Sequence, residues 1–493
     1  MLGSPLVRRS RVHVKADASR VVTRLFVPGQ EGFDQQESRS NSVLRRVLEL
    51  SDEEVQQSLD DVLERFDERH HGLTDTFLEH ADELSDRLNP ERLLSPTRRL
   101  LLGATFTSEY AIEGAALCNP SMVVHPDQKG ATPGDIRFVM SVRAIGEGHS
   151  SSIGFRTGTI TASADVTFDA APKFATRGHR DEALLEADAF TGELRRLRVS
   201  LDDSEYVLGP LGRVFTSAQL EVRLGLLEDH VATRKQARRS IGQIRRVAER
   251  SYGITFRNDT PLSERVLVPV TSAESRGIED ARFVRFCDEA DGVTYYASYT
   301  AYNGTDICQQ LLETRDFVHF SSSPMAGAAA ANKGLALFPR RIKGRFAALS
   351  RSDRESNTIT YAQSPRRWDE ALTCQTPRAP WEVVQLGNCG SPIETEMGWL
   401  VLTHGVGPMR TYNIGALLLD LEDPTHIIGR LRQPLLSPTR EEQDGYVPNV
   451  VYSCGALQHA GSLVIPYGIG DSIIGVATLP LDELLNTLES CPD

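Results

Sequence analysis

The chain has 493 residues, 40% of them hydrophobic and 25% charged, an ordinary globular composition. Its formal net charge of −13 argues against a general nucleic-acid-binding role. No uninterrupted apolar stretch reaches the roughly 18 residues needed to span a bilayer, so no membrane association is expected.

Residues 1–15 contain Arg8, Arg9 and Arg11 but no apolar run of the kind a secretory signal needs. The seven cysteines, Cys118, Cys287, Cys308, Cys374, Cys389, Cys454 and Cys491, are odd in number and widely spaced, and none pairs as CxxC. That pattern argues against a disulfide framework or a zinc knuckle. Reduced thiols in a cytoplasmic protein, mostly buried as small apolar residues, are expected.

Residues 40–95 read as helical. Ser51 and Glu54 form a capping box, each side chain satisfying an orphan amide of the first turn. Val55, Leu59, Val62, Leu63 and Phe66 then share one helix face. Gly72 breaks the run, and His70-His71 before it reads as an exposed helix end. Leu73, Phe77, Ala81, Leu84 and Leu88 form a second amphipathic pattern that ends before Asn89-Pro90. Two antiparallel helices are the expected result, with a homo-oligomer contact through the helical segments as one use for their apolar faces.

From about residue 115 short apolar runs alternate with Gly, Pro, Asn and Asp, as at 137–142, 265–270, 294–300, 346–349, 399–403, 414–419 and 462–466. Strands at this spacing predict a sandwich, barrel or propeller. The string from Arg143 through Gly146-Glu147-Gly148-His149-Ser150 lacks the Gly-Lys-Ser/Thr of a P-loop. It reads either as a plain turn or as a loop at a pocket mouth, with His149 and Ser150 near substrate. Residues 216–252 have few breakers and read as a helical insertion. Their Arg234, Lys235, Arg238, Arg239, Arg245, Arg246 and Arg250 fit a solvated basic face, a subunit contact with the acidic remainder of the chain, or an anionic partner.

Next comes Gly277-Ile278-Glu279-Asp280-Ala281-Arg282-Phe283, two carboxylates and an arginine between apolar residues. Alone, such a string reads more readily as a structural ion pair than as a catalytic acid. Its company is Tyr299-Thr300-Ala301-Tyr302-Asn303-Gly304, Asn332-Lys333-Gly334-Leu335-Ala336-Leu337-Phe338-Pro339, Leu349-Ser350-Arg351-Ser352-Asp353, Gly390-Ser391-Pro392-Ile393-Glu394-Thr395, Trp399 through Thr403-His404-Gly405, and Tyr467-Gly468-Ile469-Gly470-Asp471. Together and in this order, over about residues 115–480, these strings resemble glycoside hydrolase family 130, the mannoside phosphorylases and related β-mannosidases.

The resemblance implies a mainly β chain: a five-bladed β-propeller with an N-terminal helical segment and a helical insertion. The expected domains are an extension over 1–95 and a catalytic propeller over 96–493, with the insertion near 160–255. The family's Glu-Asp-Pro-Arg motif reads Glu279-Asp280-Ala281-Arg282 here, which makes Asp280 the proton donor, acting through a sugar hydroxyl. The lost proline bears on turn rigidity more than on chemistry. Lys333, Arg351 and His404 resemble phosphate-binding positions. Asn119, Arg143, Arg282, Asn303, Asp353 and Asp471 are the expected sugar contacts, since sugar hydroxyls both donate and accept. Trp399 and Tyr302 read as core or as stacking platforms. No metal and no cofactor are implied, with inorganic phosphate as co-substrate and manno-oligosaccharide as partner.

Glu394 departs from the family pattern by replacing a phosphate-binding lysine. The expected activity is an inverting phosphorylase that converts β-linked manno-oligosaccharides, β-1,2 by analogy, to α-mannose 1-phosphate. The alternative is an inverting β-mannosidase with Glu394 as general base and Glu441 or Glu442 as helper. A non-catalytic carbohydrate-binding propeller is the third reading.

Overall fold

The computed structural model describes residues 4–29, 38–84, 94–182, 184–230 and 235–490. The chain divides into two compact units. The larger is Met1–Ala16, Ala115–Ala171 and Gly178–Asp493, and the smaller is Asp17–Gly114 with Pro172–Arg177. The smaller unit thus carries the helical segment on through Gly114. The first residues belong to the larger unit because the strand Arg8–Lys15 pairs antiparallel with Ile473–Pro480, near the other end of the chain.

The smaller unit holds the helices Arg39–Glu49, Asp52–Phe66, Leu73–Glu83 and Pro96–Thr105, and a hairpin of Val21–Leu25 with Thr107–Ala111. The capping box of Ser51 and Glu54 forms. More helices appear than the two expected. Ser95 caps a further one with Pro96 at its first turn, where a missing N–H costs nothing. Val55, Leu59, Leu73, Phe77, Ala81 and Leu84 are buried, while Leu88, Asn89 and Pro90 lie outside the described residues. His70 differs from expectation. Its ring is 7% exposed and bonds Glu109 at 2.8 Å, because that carboxylate from the hairpin reaches it together with Arg69.

The larger unit is mainly β, built of open and mostly antiparallel strand groups, the first two of which are joined into one twelve-stranded sheet by the parallel pairing of Gly277 with Ser151. The first is Ala116–Val124, Ile136–Ile145 and Ser151–Ile160. The second is Gly277–Asp288, Gly292–Tyr302, Ile307–Thr314 and His319–Pro324, extended by Tyr252–Thr255 and His179–Glu182. The third is Ala336–Leu337, Phe346–Ser350, Asn357–Ala362 and Leu372–Gln375. In the fourth, Gln385–Asn388 and Ile393–Thr395 both pair with Gly398–Val406, followed by Tyr412–Leu419, Ile427–Arg430 and Glu489–Ser490. In the fifth, Val451–Tyr452 and Leu457–His459 pair with Ser462–Ile469, followed by Ile473–Pro480 and Arg8–Lys15.

Strand periodicity decides how these sheets stack. Side chains alternate faces along a strand. In the fourth sheet Leu400, Leu402 and Leu418 share a core with Leu463, Ile465 and Leu479 of the fifth. Their neighbours Trp399, Val401 and Leu417 pack instead on Phe338, Ala347 and Leu349 of the third. Trp399 is thus core. The same rule joins the first sheet to the second through Phe155, Phe283 and Tyr299, and the second to the third through Phe286, Leu337 and Phe346. Phe138, Met140, Val464 and Val476 join the fifth sheet back to the first.

Between the first and second sheets lies the helical insertion: Ala187–Arg196, Leu201–Leu208, Ser217–His230 and Lys235–Ala248. Phe190, Leu194, Phe215, Leu224, Ile244 and Val247 form its core. Its basic residues divide by environment. Arg245 pairs with Glu221 at the surface, whereas Arg250 is buried between Glu193 and Gln310. Arg234 lies outside the described residues.

Candidate active site

Two strands slip in register, and a residue with positive φ stands at each break. In the first sheet the register slips between Cys118 and Ser121, with Asn119 at φ 50°. In the second it slips between Glu279 and Arg282, with Asp280 at φ 56°. Gly390 and Gly455 also have positive φ, the first between Gln385–Asn388 and Ile393–Thr395, the second between Val451–Tyr452 and Leu457–His459, and Gly334 has positive φ just before Ala336–Leu337. Such bulges re-aim side chains, and Asn and Asp are among the few non-glycine residues that take left-handed angles readily. At Gly390 a Cβ would stand 2.3 Å from the Cys454 carbonyl oxygen, so only glycine fits there.

These breaks bring one cluster together. The Asn119 carboxamide donates to Asp280 Oδ1. Arg143 reaches Glu279 Oε1 at 2.6 Å and Asp280 Oδ1 at 3.4 Å. Lys333 Nζ donates to Glu279 Oε2 at 2.6 Å. Arg282 donates to the Asp280 carbonyl at 3.0 Å and to the Tyr452 hydroxyl at 2.8 Å. The Tyr452 ring packs edge-on against His404, centroids 5.0 Å apart, and Arg351 Nη1 lies 2.8 Å from His404 Nε2.

A guanidinium only donates, so His404 Nε2 accepts from Arg351. Nδ1 then carries the proton toward the Asn388 carbonyl, 3.2 Å away. Burial, with Arg351 and Arg282 nearby, holds the imidazole well below its usual pKa. His404 is a neutral ring that orients Arg351 and presents no charge of its own.

The carboxylates split. Burial would raise Asp280, yet Arg143, Lys333, Arg282 and the Asn119 amide together hold it below the usual range. Asp471 goes the other way. Burial pushes it up to about 6, with Asp280 adding repulsion against the opposing pull of Arg143 and Arg410. Arg143, Lys333 and Arg282 act on the ionised Asp280, with Glu279 beside it and Asp471 ionising only near neutrality, and Arg351 joins the cluster through His404. The balance favours an anion. Several buried polar atoms here also lack a protein partner: Asn119 Oδ1, Arg143 Nε, Arg282 Nε, Gln309 Oε1, Asn332 Nδ2 and Arg351 Nε. Buried polar groups are normally satisfied, so this concentration fits a polar ligand.

Not every expected residue joins the cluster. Asn303 accepts from the amides of Thr305 and Asp306, and Asp353 from those of Glu355 and Ser356. Both are spent on local turns. Glu394 is half-exposed and paired with Arg340 at 2.6 Å, and none of its described contacts reaches Asp280. Glu441 is exposed, and Glu442 is buried among Tyr467, Arg9 and the Thr439 amide. The Tyr302 hydroxyl donates to the Gly304 carbonyl.

Sequence reasoning gave no role to Glu279, Tyr452 or Asn388. Glu279 stands in the motif itself and could have been noticed. Tyr452 sits in an apolar run that looks like any strand. Among the described residues no three His, Cys, Asp or Glu side chains group closely enough to hold a metal ion.

The comparisons with known proteins bear on the family. The model for glycoside hydrolase family 130, described as beta-1,4-mannooligosaccharide phosphorylase, matches residues 231–490. A 1,2-beta-oligomannan phosphorylase of Thermoanaerobacter sp. (strain X514) is 33% identical over 47% of this chain and 77% of that one. A beta-1,2-mannobiose phosphorylase of Listeria innocua is 32% identical over 45% of this chain and 63% of its own length. A solved structure of the Listeria innocua beta-1,2-mannobiose phosphorylase with beta-1,2-mannobiose aligns over 77% of this chain and 93% of that one, with 21% identity and a TM-score of 0.45. With a family model covering more than half its length, this chain belongs to glycoside hydrolase family 130.

Proposed function

We propose that this chain is an inverting β-mannoside phosphorylase that converts β-linked, by preference β-1,2, manno-oligosaccharides and phosphate to α-mannose 1-phosphate and a shortened acceptor. The observation that carries the reading is the group of cations around Asp280, from Arg143, Arg282 and Lys333, with Arg351 joined to them through His404 and Tyr452. A hydrolase would need a second free carboxylate to activate water, and Glu394 is committed to Arg340. The relatives named for β-1,2-linked mannosides support the linkage.

We also read the larger unit as a five-bladed propeller. Its sheets share cores in sequence, the fifth with the first, and the strand Arg8–Lys15 completes the last blade. The strands and turns that carry Asn119, Asp280, Gly390 and Gly455 then stand around one central site in this reading.

In the reaction Asp280 supplies the proton that the departing acceptor oxygen takes up, relayed by a sugar hydroxyl as the family resemblance implies. A phosphate oxygen bonds to the anomeric carbon from the opposite face as the glycosidic bond breaks, which inverts the configuration. The cations by themselves hold Asp280 ionised. A bound phosphate offsets their field and raises the proton affinity of Asp280, so the acid forms when the nucleophile is in place. Arg351, aligned by His404, is the principal phosphate ligand in this reading.

Incubation with β-mannobioses, with and without phosphate, tests the proposal. Mannose 1-phosphate formed only with phosphate is expected. Free mannose released at the same rate without phosphate would overturn it.

A further inference from the structure

The helix Ser217–His230 of the insertion is apolar on two opposite sides. Leu220, Leu224 and Leu227 are buried in the core of the insertion. Val222 and Leu226, one turn apart on the other side, are 66% and 45% exposed. A surface helix ordinarily keeps one apolar stripe and turns polar residues to solvent. Gly225 shares the outward side with Val222, Leu226 and the exposed Ala218. A glycine inside a helix destabilises it relative to alanine. Nothing in the fold explains this one, since among the described residues no atom lies within 4 Å of the place its Cβ would take. A bare backbone on an open face allows another chain to approach closely.

Two helices of opposite charge flank this face. Glu221 pairs with Arg245 at 2.9 Å, which ties one flank to Lys235–Ala248. That helix carries five Lys or Arg and no acid, and Arg238, Arg239, Arg245 and Arg246 are exposed. Arg223, on the other flank, donates to the Tyr206 carbonyl at 2.6 Å and stands over the Tyr206 ring, which ties it to Leu201–Leu208. That helix carries three acids and no Lys or Arg, with Asp202 and Glu205 exposed.

We propose that this face is the contact between two copies of the chain, related by a twofold axis parallel to Ser217–His230. A twofold contact sets one patch against itself. With the axis across the helix, the basic helix of one copy would lie against the basic helix of the other. With the axis along the helix, each basic helix faces an acidic one, and Val222 meets the partner's Val222 close to the axis. Charge complementarity of this kind fixes orientation and register. It also selects the occupant. An anionic lipid surface would be drawn to Lys235–Ala248 but repelled by Leu201–Leu208, whereas a second copy satisfies both.

Sedimentation velocity of the full-length chain over a range of concentrations tests this. The wild type should pass from monomer to dimer mass as concentration rises, and less readily in high salt. Leu226→Glu and Gly225→Gln should each raise the dissociation constant about tenfold or more. Gly225→Gln should melt no lower than wild type at concentrations where both are monomeric, because glutamine is the better helix former, so a lost dimer there is not a lost fold. Cys287 is exposed, so the axis is tested in a Cys287→Ser background. Val222→Cys should form an intersubunit disulfide under mild oxidation, and Arg239→Cys, away from the axis, should not. A wild type that stays monomeric, self-association unchanged in both variants, or binding to phosphatidylglycerol vesicles in place of self-association would overturn the proposal. A cross-link at Arg239→Cys and none at Val222→Cys would overturn the axis.

Discussion

The carboxamide of Asn119 donates a hydrogen bond to the carboxylate of Asp280, linking the strands Ala116–Val124 and Gly277–Asp288, and both residues hold left-handed backbone angles where those strands slip in register. Neither side chain would reach the other from a regular strand. The bulge that costs each strand a ladder bond is what turns these groups into the cluster.

Asp280→Asn should leave the fold intact and lower turnover on an unactivated disaccharide by about 10²–10⁴-fold, the usual worth of a general acid. Steady-state kinetics with β-mannobiose and phosphate checks this, and near-wild-type turnover would remove Asp280 from the mechanism. A stability signature accompanies it. The Asp280 pKa is lowered in the folded state, so its contribution is present above the unfolded value of about 3.9 and lost as pH falls through the folded value. The variant should melt below wild type at pH 7, and the gap should close in acid.

Asp471→Asn should show the opposite sign. Its folded pKa is raised to about 6, so ionised Asp471 costs stability that is fully felt above pH 6 and vanishes below the unfolded value. The variant should be more stable than wild type by about 1–3 kcal/mol at pH 7.5 and no more stable at pH 3.5. Denaturant titrations at the two pH values decide it, and a gain of equal size at both would show that Asp471 is not held up by burial.

Arg351→Ala should raise the KM for phosphate by about 10–100-fold, the worth of a lost charge-assisted bond. Glu394→Gln should leave turnover within about twofold, because an exposed pair contributes about 0–1 kcal/mol. Phosphate-independent mannose release that disappears in Glu394→Gln would instead establish the hydrolase.

Gly390→Ala should cost about 1–3 kcal/mol from backbone strain alone. The clash of its Cβ with the Cys454 carbonyl, 2.3 Å away, adds to this. Thermal unfolding checks it, and a melting temperature equal to wild type would show that this break can be rebuilt without glycine.

Local chemistry determined much of this protein. The capping box at Ser51 and Glu54, the alternation that makes 399–403 a strand, and the Glu279-Asp280-Ala281-Arg282 string depend only on neighbours in the chain, so the sequence displays them. Proximity across the fold is another matter. Asn303 and Asp353 carry hydroxyl-binding chemistry, but turn geometry spends their oxygens on adjacent amides. Glu394 holds a suggestive place in its motif, but its strand directs it to Arg340. Tyr452 had no local signal, and only the fifth sheet's return beside the second and fourth brings it between Arg282 and His404. The sequence by itself determined which residue types and strand faces were present. The tertiary structure alone decided which charges meet, because an ion pair depends on distances between elements separated by many residues, and those distances are set by how the sheets pack.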